Sequence, residues 1–102
     1  MNVVLSGSTG YERSAVWDIP PSKGVYIIHD LRGPLYIGKA TNLQRRFQQH
    51  WNNSHNLQLN KEILSPVGPL SFSWIESYEA DKLERKMVRF LKPKCNRIKY
   101  TN

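Results

Sequence analysis

Two tyrosines, an arginine and a glutamate are the residues of this chain best suited to act together as chemistry. Tyr26 closes the run Gly24-Val25-Tyr26, and Tyr36 opens the run Tyr36-Ile37-Gly38 ten residues later. Arg46 follows after another ten residues, and Glu84 stands alone among basic neighbours. Brought together in space, these four groups would make a site for cutting phosphodiesters. Each also has a plain structural use. A tyrosine in a strand commonly buries its ring and leaves its hydroxyl at the rim. An inward glutamate must be metal-bound, protonated or paired, and a salt bridge to Arg46 or Lys39 would satisfy it. A phenol of ordinary pKa, about 10, needs a nearby cation to act as a base near neutral pH; Lys39 and Arg46 are available.

The flanking elements decide which reading applies. Gly24 to His29 is rich in strong β-formers and reads as a strand. Asp30-Leu31-Arg32-Gly33-Pro34 reads as a turn and Leu35 to Gly38 as the returning strand. With that loop, His29 pairs with Leu35 and Ile28 with Tyr36, so Tyr26 and Tyr36 project from one face, diagonally adjacent. A slip of one residue would separate them. Thr41-Asn42-Leu43-Gln44 matches a capping box, which predicts a helix from there to about Trp51. At roughly 100° per residue, Leu43 and Phe47 form its buried stripe, Arg46 and His50 its flank, and Arg45 points outward. Leu57 to Leu64 reads as a short second helix, and Leu70 to Trp74 alternates like a half-buried strand. A last helix is expected from about Glu79 to Leu91, capped by Ser77 and stopped by Pro93. Glu79 and Asp81 would complement its dipole.

On that helix Lys82, Arg85, Lys86 and Arg89 share one face, with Leu83, Met87, Phe90 and Leu91 roughly opposite. Glu84 falls on the inner side, between Ala80, Met87, Val88 and Leu91. From Lys82 to Lys99 there are eight lysines or arginines, among them Lys92 and Lys94, against one acidic residue, and Phe90 and Tyr100 are interspersed. So dense and one-sided a run favours contact with phosphates, without implying readout of base sequence. The three histidines lack metal-ligand spacing. His29 and His55 read as surface residues, and His50 either moves protons or packs near Trp51. No glycine-rich phosphate loop is present.

The chain has 102 residues, room for one domain, and a net charge of +7 with a pI near 9.8. That charge favours a polyanionic partner, most simply nucleic acid, over a membrane surface. No stretch approaches the ~20 apolar residues of a membrane span. The N-terminus lacks the features of a signal peptide. The single cysteine, Cys95, excludes an internal disulfide or a cysteine zinc cluster and suits a cytoplasmic setting. Residues 1–19 read as a partly ordered arm, with Ser6-Gly7-Ser8-Thr9-Gly10 of linker composition and Trp17 and Ile19 tacking it down; residues 20–102 form the domain.

In order along the chain, Gly24-Val25-Tyr26, Leu35-Tyr36-Ile37-Gly38-Lys39-Ala40, Leu43 with Arg46 and Phe47, Glu79-Ala80 with Glu84, and Pro93-Lys94-Cys95-Asn96 resemble the GIY-YIG nuclease family. The motifs look closest to the nuclease domain of bacterial excision-repair endonucleases, while His50 and His55 resemble the homing-endonuclease branch. The resemblance implies a small α/β (α+β) fold, a three-stranded antiparallel sheet flanked by helices, and metal-dependent hydrolysis of DNA. It implies that Glu84 holds one divalent ion, Mg²⁺ or Mn²⁺, and that Tyr36, or else Tyr26, takes a proton from the attacking water with Lys39 lowering its pKa. Arg46 would neutralise the phosphate, His50 would assist proton movement or hold the phosphate, and Asn96 would brace the site. Val25 stands where the family usually has isoleucine. Target choice would fall to a protein partner or a further domain, with repair as the expected setting. The alternative is a nucleic-acid-binding module that has lost catalysis and uses the basic helix face.

Overall fold

The computed structural model describes residues 4–53 and 56–96; His55, Arg97, Lys99 and Tyr100 lie outside the described residues. Its centre is an antiparallel sheet with strand order β1-β4-β2-β3, where β1 is Gly7–Gly10, β2 Gly24–Asp30, β3 Gly33–Ala40 and β4 Ser71–Glu76. Three α-helices cover it: α1 (Leu43–Asn53), α2 (Leu57–Leu64) and α3 (Ala80–Leu91).

The central strand β2 explains its own sequence. Val25 and Ile27 face a cluster with Ala80, Met87 and Val88 of α3. Tyr26 and Ile28 face the opposite cluster, with Leu43 and Phe47 of α1 and Leu59 of α2. A strand covered on both faces needs no polar alternation, hence the unbroken run from Val25 to Ile28.

Ile28 pairs with Tyr36, as the hairpin reading requires, and Tyr26 pairs with Gly38. The turn itself is tighter than five residues. Asp30 pairs with Gly33, which takes a positive φ of 104°, and the Asp30 carboxylate accepts from the Arg32 backbone N–H at 2.9 Å. His29 therefore pairs with Pro34, not Leu35, and the register shifts between Ile28 and His29. The resulting bulge turns Leu35 into the α1-side core, beside Tyr26.

Five further expectations are corrected. The sheet has four strands, because the supposed linker Ser6–Gly10 supplies β1, paired along β4 from Gly7↔Trp74 to Gly10↔Ser71. Gly7 lies against the Trp74 indole, where a Cβ would clash, so this glycine serves packing. Trp17 is 84% exposed; Ile19 anchors the arm as expected, with Ala15 in place of the tryptophan. Asn42, not a Thr41 box, caps α1, its side chain accepting from the Arg45 N–H at 2.9 Å. Gln44 donates instead to the Val16 and Ile19 carbonyls and ties the arm to α1. Helix α3 begins at Ala80, so its cap is Glu79, and Ser77 accepts from the Glu79 N–H just outside the helix. Phe90, expected with the buried side of α3, is exposed.

The free edge of β3 is closed by the chain after α3. Lys92 leaves the helix in the left-handed region and Pro93 follows, buried. Cys95 N–H then donates to the Leu35 carbonyl at 2.7 Å, and the Asn96 side chain both donates to the Ile37 carbonyl (2.8 Å) and accepts from the Ile37 N–H (2.9 Å). An edge strand so capped offers fewer open groups for pairing with another chain.

Candidate active site

Because α1 and α3 lie on opposite faces of the sheet, their side chains can meet only around the β3 edge. There they form a cleft of about 380 Å³, lined by Tyr36, Lys39, Arg46 and Glu84 among others. Tyr36 and Arg46 reach it from the α1 side, Glu84 from α3. Four of the residues singled out in the sequence thus share one cavity.

Glu84 sits half-buried on α3, and its Oε1 is buried without a hydrogen-bond partner. The bland alternative, a salt bridge to Arg46 or Lys39, is not formed. Lys39 pairs with Asp81, one turn before Glu84. Arg46 donates to the Lys39 carbonyl at 3.2 Å. A carboxylate oxygen left bare beside a cleft is costly unless a cation takes it up. The donor set fits a hard, oxygen-loving divalent ion that keeps most of its own water, since among the described residues no three acidic, histidine or cysteine side chains cluster around a metal position.

The two tyrosines occupy different environments. Tyr26 is fully buried, stacked on Phe72 with ring centroids 5.3 Å apart. Its hydroxyl lies 2.6 Å from His50 Nε2. With the histidine proton on Nδ1, the phenol donates that bond. Burial above all, then the neighbouring Tyr36, pushes the Tyr26 phenol far above its ordinary pKa, although the nearby Arg46 guanidinium pulls it part of the way back. Tyr36 is only half-buried, 6.0 Å from Tyr26 between ring centroids, and lines the cleft. His50 packs edge-on against both rings, at 5.3 and 5.5 Å.

The glycines of the two runs have steric reasons. A Cβ on Gly38 would strike the Tyr26 phenol, and one on Gly24 would strike the Ile75 carbonyl of β4. Asn96 stands outside the cleft lining and acts on β3 through the Ile37 backbone.

Lys82, Arg85, Lys86 and Arg89 are exposed, as the helical spacing predicts, and so is Lys92 just past the helix. Lys94 is exposed too, but it pairs with Glu62 at 3.1 Å. His29 is not a plain surface residue: its Nε2 meets the buried Ser73 hydroxyl at 2.7 Å. Lys23, Thr41 and Asp81 line the cleft without having been singled out as site residues. Lys23 had a signal, since it directly precedes Gly24 at the sheet end nearest α1.

Fold and cleft define a small mixed α/β catalytic domain. Residues 22–97 match the family model of the GIY-YIG catalytic domain, and the chain belongs to that family. Among its relatives, the UvrABC system protein C of Aquifex aeolicus is 34% identical over 91 residues, covering 86% of this chain and 16% of that protein. The protein of the same name from Petrotoga mobilis is 37% identical over 90 residues, covering 83% of this chain and 16% of that one. The first such relatives are spanned over only 14% to 16% of their length. A similar solved structure is the GIY-YIG N-terminal endonuclease domain of UvrC from Thermotoga maritima, bound to its catalytic magnesium: TM-score 0.67, 26% identity, 82% of this chain and 93% of that one. Variants of that domain with a tyrosine or an asparagine replaced also bind the catalytic divalent cation.

Proposed function

We propose that this domain is a metal-dependent DNA endonuclease that hydrolyses phosphodiester bonds in the cleft at the β3 edge. The observation that carries the reading is the bare, buried Glu84 oxygen beside a cavity that also receives Tyr36 and Arg46. Glu84 would hold the divalent ion, Mg²⁺ or Mn²⁺, which when bound supplies positive charge to polarise the phosphate and the leaving oxygen. Retention of the cation by tyrosine and asparagine variants of the Thermotoga domain agrees with a carboxylate as its holder.

Tyr36 takes the proton as water attacks phosphorus and the P–O bond to the leaving oxygen breaks. Tyr26 is unsuited to that step, because burial and its bond to His50 keep its phenol protonated. Its part, with His50, is to fix the wall behind Tyr36. Arg46 neutralises charge on the phosphate. Asp81 holds Lys39 at the rim, so Lys39 contributes field to the cleft from an ion pair. Asn96 positions β3. The exposed face of Lys82, Arg85, Lys86, Arg89 and Lys92 holds the DNA backbone, with Lys94 at its margin.

Among the described residues no helix is long and apolar enough to cross a membrane. The assignment of the protein to the cytoplasm rests on its lone cysteine and its DNA partner. On the similarity to UvrC we assign it to DNA repair, with target choice left to a partner or an accompanying domain.

Nicking of supercoiled plasmid tests the proposal. Wild type nicks with Mg²⁺ and stops in chelator; Glu84→Ala abolishes nicking while retaining DNA. Tyr36→Phe lowers the rate by about 10²–10⁴, the usual worth of a general base. Binding of Mn²⁺, followed by its paramagnetic resonance, is lost in Glu84→Ala and kept in Tyr36→Phe. Nicking that survives Glu84→Ala or chelator refutes the site, and retention of DNA without cleavage under any metal favours the binding-module alternative.

A further inference from the structure

Tyr78 is 95% exposed, the most exposed large hydrophobic side chain among the described residues. It makes no ring contact, and no packing requires it. Its backbone, however, is fixed. The preceding residue, Ser77, donates its N–H to the Lys23 carbonyl at 3.0 Å, and Ala80 opens α3 two residues later. Lys23 and Ala80 both line the cleft. Tyr78 therefore stands in solvent where α3 begins, between Ser77, which is bonded to one cleft-lining residue, and Ala80, which is another. Exposed lysines flank it: Lys23 on the sheet side, Lys82 on the helix side.

A free aromatic face near two lysines in the chain, adjoining residues that line a cleft read as a phosphodiester site, matches the chemistry of a nucleotide. The ring offers a π-face to a base and the ammonium groups offer charge to the adjoining backbone. A base within a continuous duplex has both faces covered by its neighbours and cannot use such a ring. We propose that Tyr78 is a stacking platform for an unpaired nucleobase adjoining the phosphate in the cleft, which makes locally unpaired strands the better ligands. This rests on the reading of the cleft as a phosphodiester site.

The test compares affinity for oligothymidylate with affinity for an abasic oligomer of equal length, by fluorescence anisotropy in chelator so that neither is cut. Wild type favours the base-bearing strand by about tenfold, the range expected for one aromatic–base stack. Tyr78→Ala removes that preference and Tyr78→Phe keeps it; both fold normally, because the side chain packs against nothing. Plasmid nicking by the same proteins separates the two levels. If wild type nicks but Tyr78→Ala leaves the preference unchanged, or Tyr78→Phe loses it as fully as alanine does, the stacking role is overturned and the nuclease reading stands. If wild type nicks but binds neither oligomer, the stacking role alone falls; if it neither nicks nor binds, both fall.

Discussion

Replacing Gly38 with alanine is expected to cost the domain about 1–3 kcal/mol of stability, for a reason specific to its place in the site. Gly38 has no positive φ, so conformational freedom is not what keeps it a glycine. A Cβ there would lie 2.5 Å from Tyr26 Cζ and 2.8 Å from Cε1, with the hydroxyl oxygen closer still. The ring cannot swing aside, because Phe72 stacks on it and His50 holds its hydroxyl. Overpacking of this kind costs about 1–3 kcal/mol. Breaking the phenol–imidazole bond adds about 0.5–1.5 kcal/mol. Alanine returns about 0.5–1 kcal/mol, since glycine is entropically costly inside a strand. At about 4–8 °C per kcal/mol for a domain of this size, a loss of about 1–3 kcal/mol lowers Tm by about 4–24 °C. Thermal unfolding followed by circular dichroism measures this, with Gly10→Ala as the control. A Cβ on Gly10 meets only the Glu12 side chain, so that variant stays close to wild type. Nicking by Gly38→Ala should fall as well, since Tyr36 and His50 pack against the displaced ring. A Gly38→Ala protein as stable as wild type would show that Tyr26 is not held where the hydrogen bond places it.

Removing the Tyr11 hydroxyl should stabilise the protein by up to about 1 kcal/mol. That oxygen is buried with no partner, and burial pushes its pKa up to about 12, so a higher melting temperature for Tyr11→Phe is the expected result. Asn96→Ala loses two hydrogen bonds to Ile37 and should cost about 1–3 kcal/mol, read as a lower urea midpoint, together with slower nicking as the β3 edge loosens. Stability should fall in two stages on acidification. Burial lowers the His29 pKa, so the unfolded chain binds that proton first, and stability is lost as pH falls below about 6.5. The Arg32 guanidinium holds the Asp30 carboxyl well below the usual range, so its contribution is intact above about pH 4 and is lost as pH falls toward the depressed value. Urea midpoints against pH check this: His29→Gln removes the upper stage and leaves the lower.

The parts of the fold that were legible in the sequence are those set by local chemistry. Helix α2 begins and ends where its apolar spacing places it, and β2 shows as a run of β-formers between a glycine and a turn. The pairing of Ile28 with Tyr36 follows from hairpin geometry, although the tight turn and the bulge at Leu35 reach it by a different count. What could not be read depends on partners distant in sequence. Strand β1 is four small or polar residues with no apolar signal; it exists because β4 has a free edge and Ser8 meets Ser73 across it at 2.7 Å. Phe90 has the periodicity of a core residue, yet it stands exposed in the last turn of α3.

Of the site, spacing gave the inward orientation of Glu84 and the flank position of Arg46, but not why they converge. Helices on opposite faces of a sheet are kept apart by its thickness, about 10 Å of packed side chains on each side. They can share a cavity only at an edge, and only if the edge strand presents little bulk there. Strand β3 meets both conditions: it is the outermost strand on that side, and it carries Gly38 and Ala40 where the cleft passes over it. Gly38 thus has two neighbours to accommodate, the Tyr26 ring beneath it and the cavity beside it. The consequence is a division of labour between the tyrosines. The one on the central strand is locked into the core and supports; the one on the edge strand is left half-open and can meet a substrate. A shift of β3 by one residue would turn Tyr36 to the sheet face opposite Tyr26 and away from Arg46, so the capping of the β3 edge by Cys95 and Asn96 bears directly on whether Tyr36 stays in the cleft.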